Sequence, residues 1–115
     1  MSEKPIDPSV FAELQATTGP EFAAELMDTF LDEAPSMIAE LRNARTEGDN
    51  ERFQRAAHSL KSNANTFGAV TLANLARKLE LQGIDADPRR DDAALAELEA
   101  AHATAAAALK ALCNG

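Results

Sequence analysis

The 115-residue chain holds one cysteine, Cys113, which excludes an internal disulfide framework and any cysteine-rich zinc site. It has no tryptophan and no tyrosine, and valine and isoleucine together number only five. That leaves little β-branched or aromatic material for a sheet. Bases are scarce: 11 Lys+Arg stand against 19 Asp+Glu, a formal net charge of −8. No nucleic-acid partner is expected of so acidic a chain, because a phosphate backbone is gripped by a basic surface. No apolar run approaches the roughly 18–20 residues that a membrane-spanning helix needs, and Met1 to Asp7 contain no apolar secretory core. A cytoplasmic domain with no membrane association is the expectation. The five glycines form no G-x-G-x-x-G and no phosphate-binding loop. Neither H-E-x-x-H nor G-x-S-x-G occurs, and two histidines, His58 and His102, leave few histidine-based sites to consider.

What the chain has in excess is alanine, 25 residues, followed by leucine at 13. Both are strong helix formers. The length suits a single domain. Residues 1–6 are polar and are expected to be a flexible N-terminus ahead of a bundle domain over residues 7–115. Asp7-Pro8 reads as an N-cap followed by proline at the first helical position, opening a short helix to about Ala16. Thr17-Thr18-Gly19 ends it. Pro20 opens a longer helix with Phe22, Leu26, Phe30, Met37, Leu41 and Ala44 as its apolar series, and Pro35 is expected to kink or briefly break it. Gly48 closes that helix and Asp49 caps the next, from about Asn50 to Asn65 or Thr66. A fourth helix is expected from about Ala69 to Gln82, and a fifth from about Arg89 to Leu112. The fifth helix repeats Leu95, Leu98, His102, Ala105, Leu109 and Leu112 at alternating spacings of three and four. The fold class is therefore all-α: an antiparallel up-down-up-down four-helix bundle with a short extra N-terminal helix.

The two histidines stand in different settings. Glu99-Ala100-Ala101-His102 is a Glu-x-x-His, as in di-iron bundles, but such a site needs a second copy plus two inward glutamates. The other histidine is preceded by Arg55 at that offset, so no metal centre is expected and His102 belongs on or beside the core stripe. His58 differs. At about 100° per residue, Phe53, Ala57, Leu60 and Ala64 fall within about 60° of arc, and His58 lies about 120–140° from their centre. It shares an outward face with Glu51, Gln54, Ser62 and Asn65. Such a histidine has no packing duty. A neutral imidazole is a competent nucleophile near neutral pH. Lys61, three residues on, is placed to offer a mobile ammonium to a phosphoryl group, and Ser62 is small enough to leave it space. Gln54 and Asn65 are candidate hydrogen-bond donors to that group. The third-helix segment, residues 49–68, is also the least acidic part of the chain, with two acids and three bases.

The stretch Ala56-Ala57-His58-Ser59-Leu60-Lys61-Ser62-Asn63-Ala64-Asn65-Thr66-Phe67-Gly68-Ala69 resembles the signature of histidine-containing phosphotransfer (HPt) domains. The flanks are similar too: Phe30 to Pro35 upstream, and Leu72 to Glu80 downstream, which looks like the family's L-x-x-L-A-x-x-L-E helix. The resemblance covers about residues 8–112. It implies a four-helix bundle that relays a phosphoryl group between receiver-domain aspartates in multistep phosphorelays. By that resemblance His58 is the phosphoacceptor through Nε2, Lys61 assists electrostatically, Ser62 fills the small-residue position, and Gly68 stands where a side chain would crowd the turn. Gln54, Arg55, Ser62 and Asn65 are expected to face the phosphoryl group or the partner. The implied partners are the receiver domain of a hybrid histidine kinase and that of a response regulator, met by a monomer. No cofactor is expected on this chain, the Mg²⁺ belonging to the receiver, and no autonomous kinase activity. Three other readings stand beside it: the phosphoacceptor domain of a chemotaxis-type kinase, served by an ATP-binding domain; a pure interaction bundle; and the metal bundle.

Overall fold

The computed structural model describes residues 5–114, and of Cys113 and Asn114 the backbone only. Five helices follow in order: α1 (Pro8–Thr18), α2 (Pro20–Glu47), α3 (Asn50–Thr66), α4 (Val70–Gln82) and α5 (Pro88–Asn114). No strand occurs among the described residues. The breaks fall where local chemistry dictates. The Asp7 carboxylate accepts the Ser9 N–H at 3.1 Å, with Pro8 opening α1 behind it. Pro20 opens α2 in the same way. Asp49 accepts the Arg52 N–H at 3.1 Å and starts α3. At the start of α5 the Asp87 carboxylate accepts the Arg89 N–H at 3.0 Å.

With two to five residues between α2, α3, α4 and α5, each chain reversal sets neighbours antiparallel. α2 packs against both α3 and α5, α3 against α4, and α4 against α5, so the four long helices close a ring. The short α1 lies over α2 and the end of α3. α2 has 28 residues, about 42 Å of helix at 1.5 Å per residue, which accounts for the 43 Å long axis of the molecule. The core is built of Phe11, Phe53, Leu41, Leu60, Leu72, Leu95, Leu98 and Leu109, with alanines from every long helix filling the close approaches. Phe30 of α2 stacks on Phe67 at the end of α3, ring centres 5.1 Å apart.

Several expectations are corrected here. α2 runs unbroken through Pro35. Ala34, Ile38 and Leu41 on its inner face are buried. That packing holds the helix together across the missing N–H. The buried stripe of α2 is Ala23, Met27, Phe30, Leu31, Ala34, Ile38, Leu41 and Ala44, which keeps Phe30, Leu41 and Ala44 of the expected series but not Phe22, Leu26 or Met37. Phe22 is half exposed, and Leu26 and Met37 are only partly buried. Of the stretch expected to be flexible, residues 1–4 lie outside the described residues, whereas Ile6 is buried in the core. The expected Leu112 end of the α5 stripe is partly exposed, at 37%.

Candidate functional site

The inner face of α3 is as the wheel predicts: Phe53, Ala57, Leu60 and Ala64 have no exposed surface. Burying them turns His58 outward, with 58% of its side chain exposed. Its Nδ1 lies 2.6 Å from Oε2 of Glu80 on α4. The other oxygen of the same carboxylate accepts Lys61 Nζ at 2.8 Å. The hydrogen bond from Lys61 foremost, opposed by burial and reinforced by the hydrogen bond and charge of His58, holds the Glu80 carboxyl below its usual range. Glu80 is therefore ionised at neutral pH and can only accept. The proton in the His58–Glu80 bond then sits on Nδ1, which leaves the lone pair on Nε2. No described residue hydrogen-bonds that nitrogen.

The sequence-predicted residues divide. His58 and Lys61 come together through Glu80, so Lys61 is not a freely mobile ammonium: its side chain is 24% exposed and committed to a carboxylate. Ser62 and Asn65 are exposed on the outer side of α3, where a phosphoryl group or a partner has access. Arg55 is exposed and paired to Glu51 at 2.6 Å. Gln54, a candidate donor to the phosphoryl group, has its amide engaged on another helix. Its Nε2 donates to the backbone carbonyl of Glu80 at 2.9 Å, because that carbonyl, in the last turn of α4, has no helical partner.

Gly68 sits away from the ring, at the corner that joins α3, α4 and the start of α1. Its φ of +72° and its surroundings both demand glycine. A Cβ there would stand 2.6 Å from the Asp7 carbonyl oxygen and 2.9 Å from Val10 Cβ. Its carbonyl accepts the Asp7 N–H at 2.7 Å.

The residue that sequence reasoning missed is Glu80. It closes the Leu72–Glu80 motif, but nothing in the spacing along one helix says which residue of another helix it meets. The Glu-x-x-His of α5 resolves differently. Glu99 forms an ion pair with Arg42 across to α2. His102 is half-buried, its Nε2 is enclosed without a hydrogen-bond partner, and burial pushes its pKa below the usual value. Among the described residues no group of three or more His, Cys, Asp or Glu is arranged to hold a metal ion, and no helix is long and apolar enough to cross a membrane.

A search of curated proteins finds no match. Among solved structures the chain is similar to histidine-containing phosphotransfer protein B (HptB) from Pseudomonas aeruginosa PAO1, at 26% identity and a TM-score of 0.82, over 98% of this chain and 97% of that one. The family model of the Hpt domain matches residues 25–113, which span α3, α4 and the His58–Lys61–Glu80 cluster. With a match over most of its length, the chain belongs to the Hpt domain family.

Proposed function

We propose that this protein is a phosphocarrier that receives a phosphoryl group on His58 Nε2 from an aspartyl phosphate of one receiver domain and passes it to the aspartate of another. The observation that carries this reading is the Glu80 carboxylate on Nδ1 of an exposed histidine, which leaves the nucleophilic lone pair facing outward. In the forward step the Nε2 lone pair attacks phosphorus in line with the acyl phosphate oxygen. An N–P bond forms, the P–O bond breaks, and the receiver's carboxylate departs with the electron pair. The proton on Nδ1 stays in its bond to Glu80, which offsets the positive charge that develops on the ring. Lys61, bound to the other oxygen of the same carboxylate, brings a positive charge to the site on which the incoming phosphoryl oxygens draw. The chain supplies position and charge, which is most of what phosphoryl transfer asks of a protein. Mg²⁺ belongs to the receiver's own acidic pocket.

The docking face is the outer side of α3 together with the adjoining part of α2. A shallow groove lies there, lined by Met37 and Ala56 and rimmed by Ser36, Glu40, Arg52, Arg55 and Ser59. Ser59 follows His58 directly in α3, so the groove adjoins the turn that carries the ring.

The test is transfer from phosphorylated receiver domains to the wild type and to His58→Gln. Wild type takes an acid-labile, base-stable label and the variant, still folded, takes none. Labelling of both, or of neither with a broad set of receivers, removes the reading. Labelling by an ATP-loaded kinase domain in the absence of any receiver replaces the donor class with the chemotaxis-type one.

A further inference from the structure

Glu80 stands in the last turn of α4, two residues before Gln82 ends the helix. Helix ends fray because their final carbonyls lack partners, and here the fraying turn carries the carboxylate that holds the His58 ring. The chain meets this from α3. Gln54 Nε2 donates to the Glu80 carbonyl at 2.9 Å. Asn50, one turn earlier, donates through Nδ2 to Gln54 Oε1 at 3.3 Å and through Oδ1 accepts the Ile84 N–H at 2.8 Å, just past the helix end. Gly83 passes over Asn50 so closely that a Cβ would stand 2.5 Å from Asn50 Oδ1, with φ at +69°. Asn50, Gln54, His58 and Lys61 therefore form one stripe along α3, at spacings of four, four and three. The first two grip the backbone of the α4 terminus and the last two grip the Glu80 carboxylate.

We infer that Asn50 and Gln54 are positioning residues for the phosphotransfer histidine: they act as a side-chain cap that α3 places on α4, and so fix the proton of His58 on Nδ1 by way of Glu80. The inference rests on the proposed function for its purpose but not for its geometry. It also gives Gln54 a role other than the expected hydrogen-bond donor to a phosphoryl group, because its amide is spent on the backbone of the neighbouring helix.

The experiment uses Gln54→Met, which keeps side-chain length and helix propensity but removes both hydrogen bonds, and Asn50→Ala as a second variant if the first is unfolded by circular dichroism. Two readouts are taken on the full chain. The first is the imidazole ¹⁵N shifts of the neutral His58 ring, which report the Nδ1–H against Nε2–H tautomer. The second is the rate of phosphorylation by phosphoramidate, a small donor that needs no docking surface. The expected result is a tautomer population that moves toward Nε2–H and a rate about tenfold lower, a fraction of the roughly hundredfold that an ångström of misplacement costs. Glu80→Gln calibrates the shift. Tautomer populations unchanged in the folded brace variant, with Glu80→Gln displaced, would overturn the inference. If the tautomer moves but receivers transfer no phosphoryl group to wild type, the brace stands and the proposed function falls.

Discussion

Leu60 and Lys61 are neighbours in sequence with opposite work. Leu60 is fully buried between the helices. Leu60→Ala should cost about 2–5 kcal/mol, as truncations at such sites do, and urea denaturation measures it; a neutral result would mean that the buried face of α3 is misassigned. Lys61 makes one ion pair at the surface. Lys61→Ala should change stability by no more than about 0.5 kcal/mol while slowing transfer to His58. His102 yields a pH prediction. Its folded pKa is lowered by burial first and by Lys110 second, so protons bind the unfolded chain more readily. Stability is thus lost as pH falls from the unfolded value of about 6.5 toward the lowered one. Thermal melts at pH 7 and pH 5 should show this loss in wild type and less of it in His102→Leu. An equal loss in both would assign the effect elsewhere. At this scale the orientation of His58 was legible because four apolar residues at helical spacing leave only one outward face. The Glu80 contact was not, since it depends on how two helices are set against one another.

The elements were legible wherever punctuation was strong. Asp7-Pro8, Pro20, Gly48-Asp49 and Gly83 each mark a boundary that the helices respect. Pro35 shows the limit of that method. Local rules say that an interior proline breaks a helix, yet burial on both sides of it overrides the local cost. The substitution Pro35→Ala restores the hydrogen bond to the Leu31 carbonyl and should stabilise the protein by up to about 3 kcal/mol; a fall in melting temperature would show instead that the packing of α2 depends on the proline. The α3–α4 corner carries the opposite prediction. Gly68→Ala places a methyl group against the Asp7 backbone at a left-handed φ, and should lower the melting temperature clearly, with the contact between α1 and this corner the first to loosen in hydrogen exchange. Unchanged exchange at the Asp7 N–H would contradict it.

Across the whole molecule the architecture separates two duties. A core of leucine, phenylalanine and many small alanines holds the four helices close, and the His58–Lys61–Glu80 cluster sits on the outside, where charge and hydrogen bonds tie α3 to α4. The ring order of the helices followed from short connections, whereas the pairing of His58 and Lys61 with one carboxylate emerges only when α3 and α4 are packed. Acidity is concentrated before α3: residues 1–48 carry ten acids and three bases. The α3 segment, residues 49–68, is the least acidic stretch of an acidic molecule, with two acids and three bases, which lowers the repulsion that an acidic partner would meet in approaching it. That approach should weaken less with salt than a contact through the N-terminal half would.

The central claim is that the outward nitrogen of one histidine carries the phosphoryl group. It is tested most directly by phosphorylating ¹⁵N-histidine-labelled protein with a phosphorylated receiver and recording ³¹P–¹⁵N coupling. The account predicts a single coupled nitrogen, Nε2 of His58, with His102 unmodified. Coupling at Nδ1 would contradict the role given to Glu80, and phosphorus on His102, or on no histidine, would contradict the account as a whole.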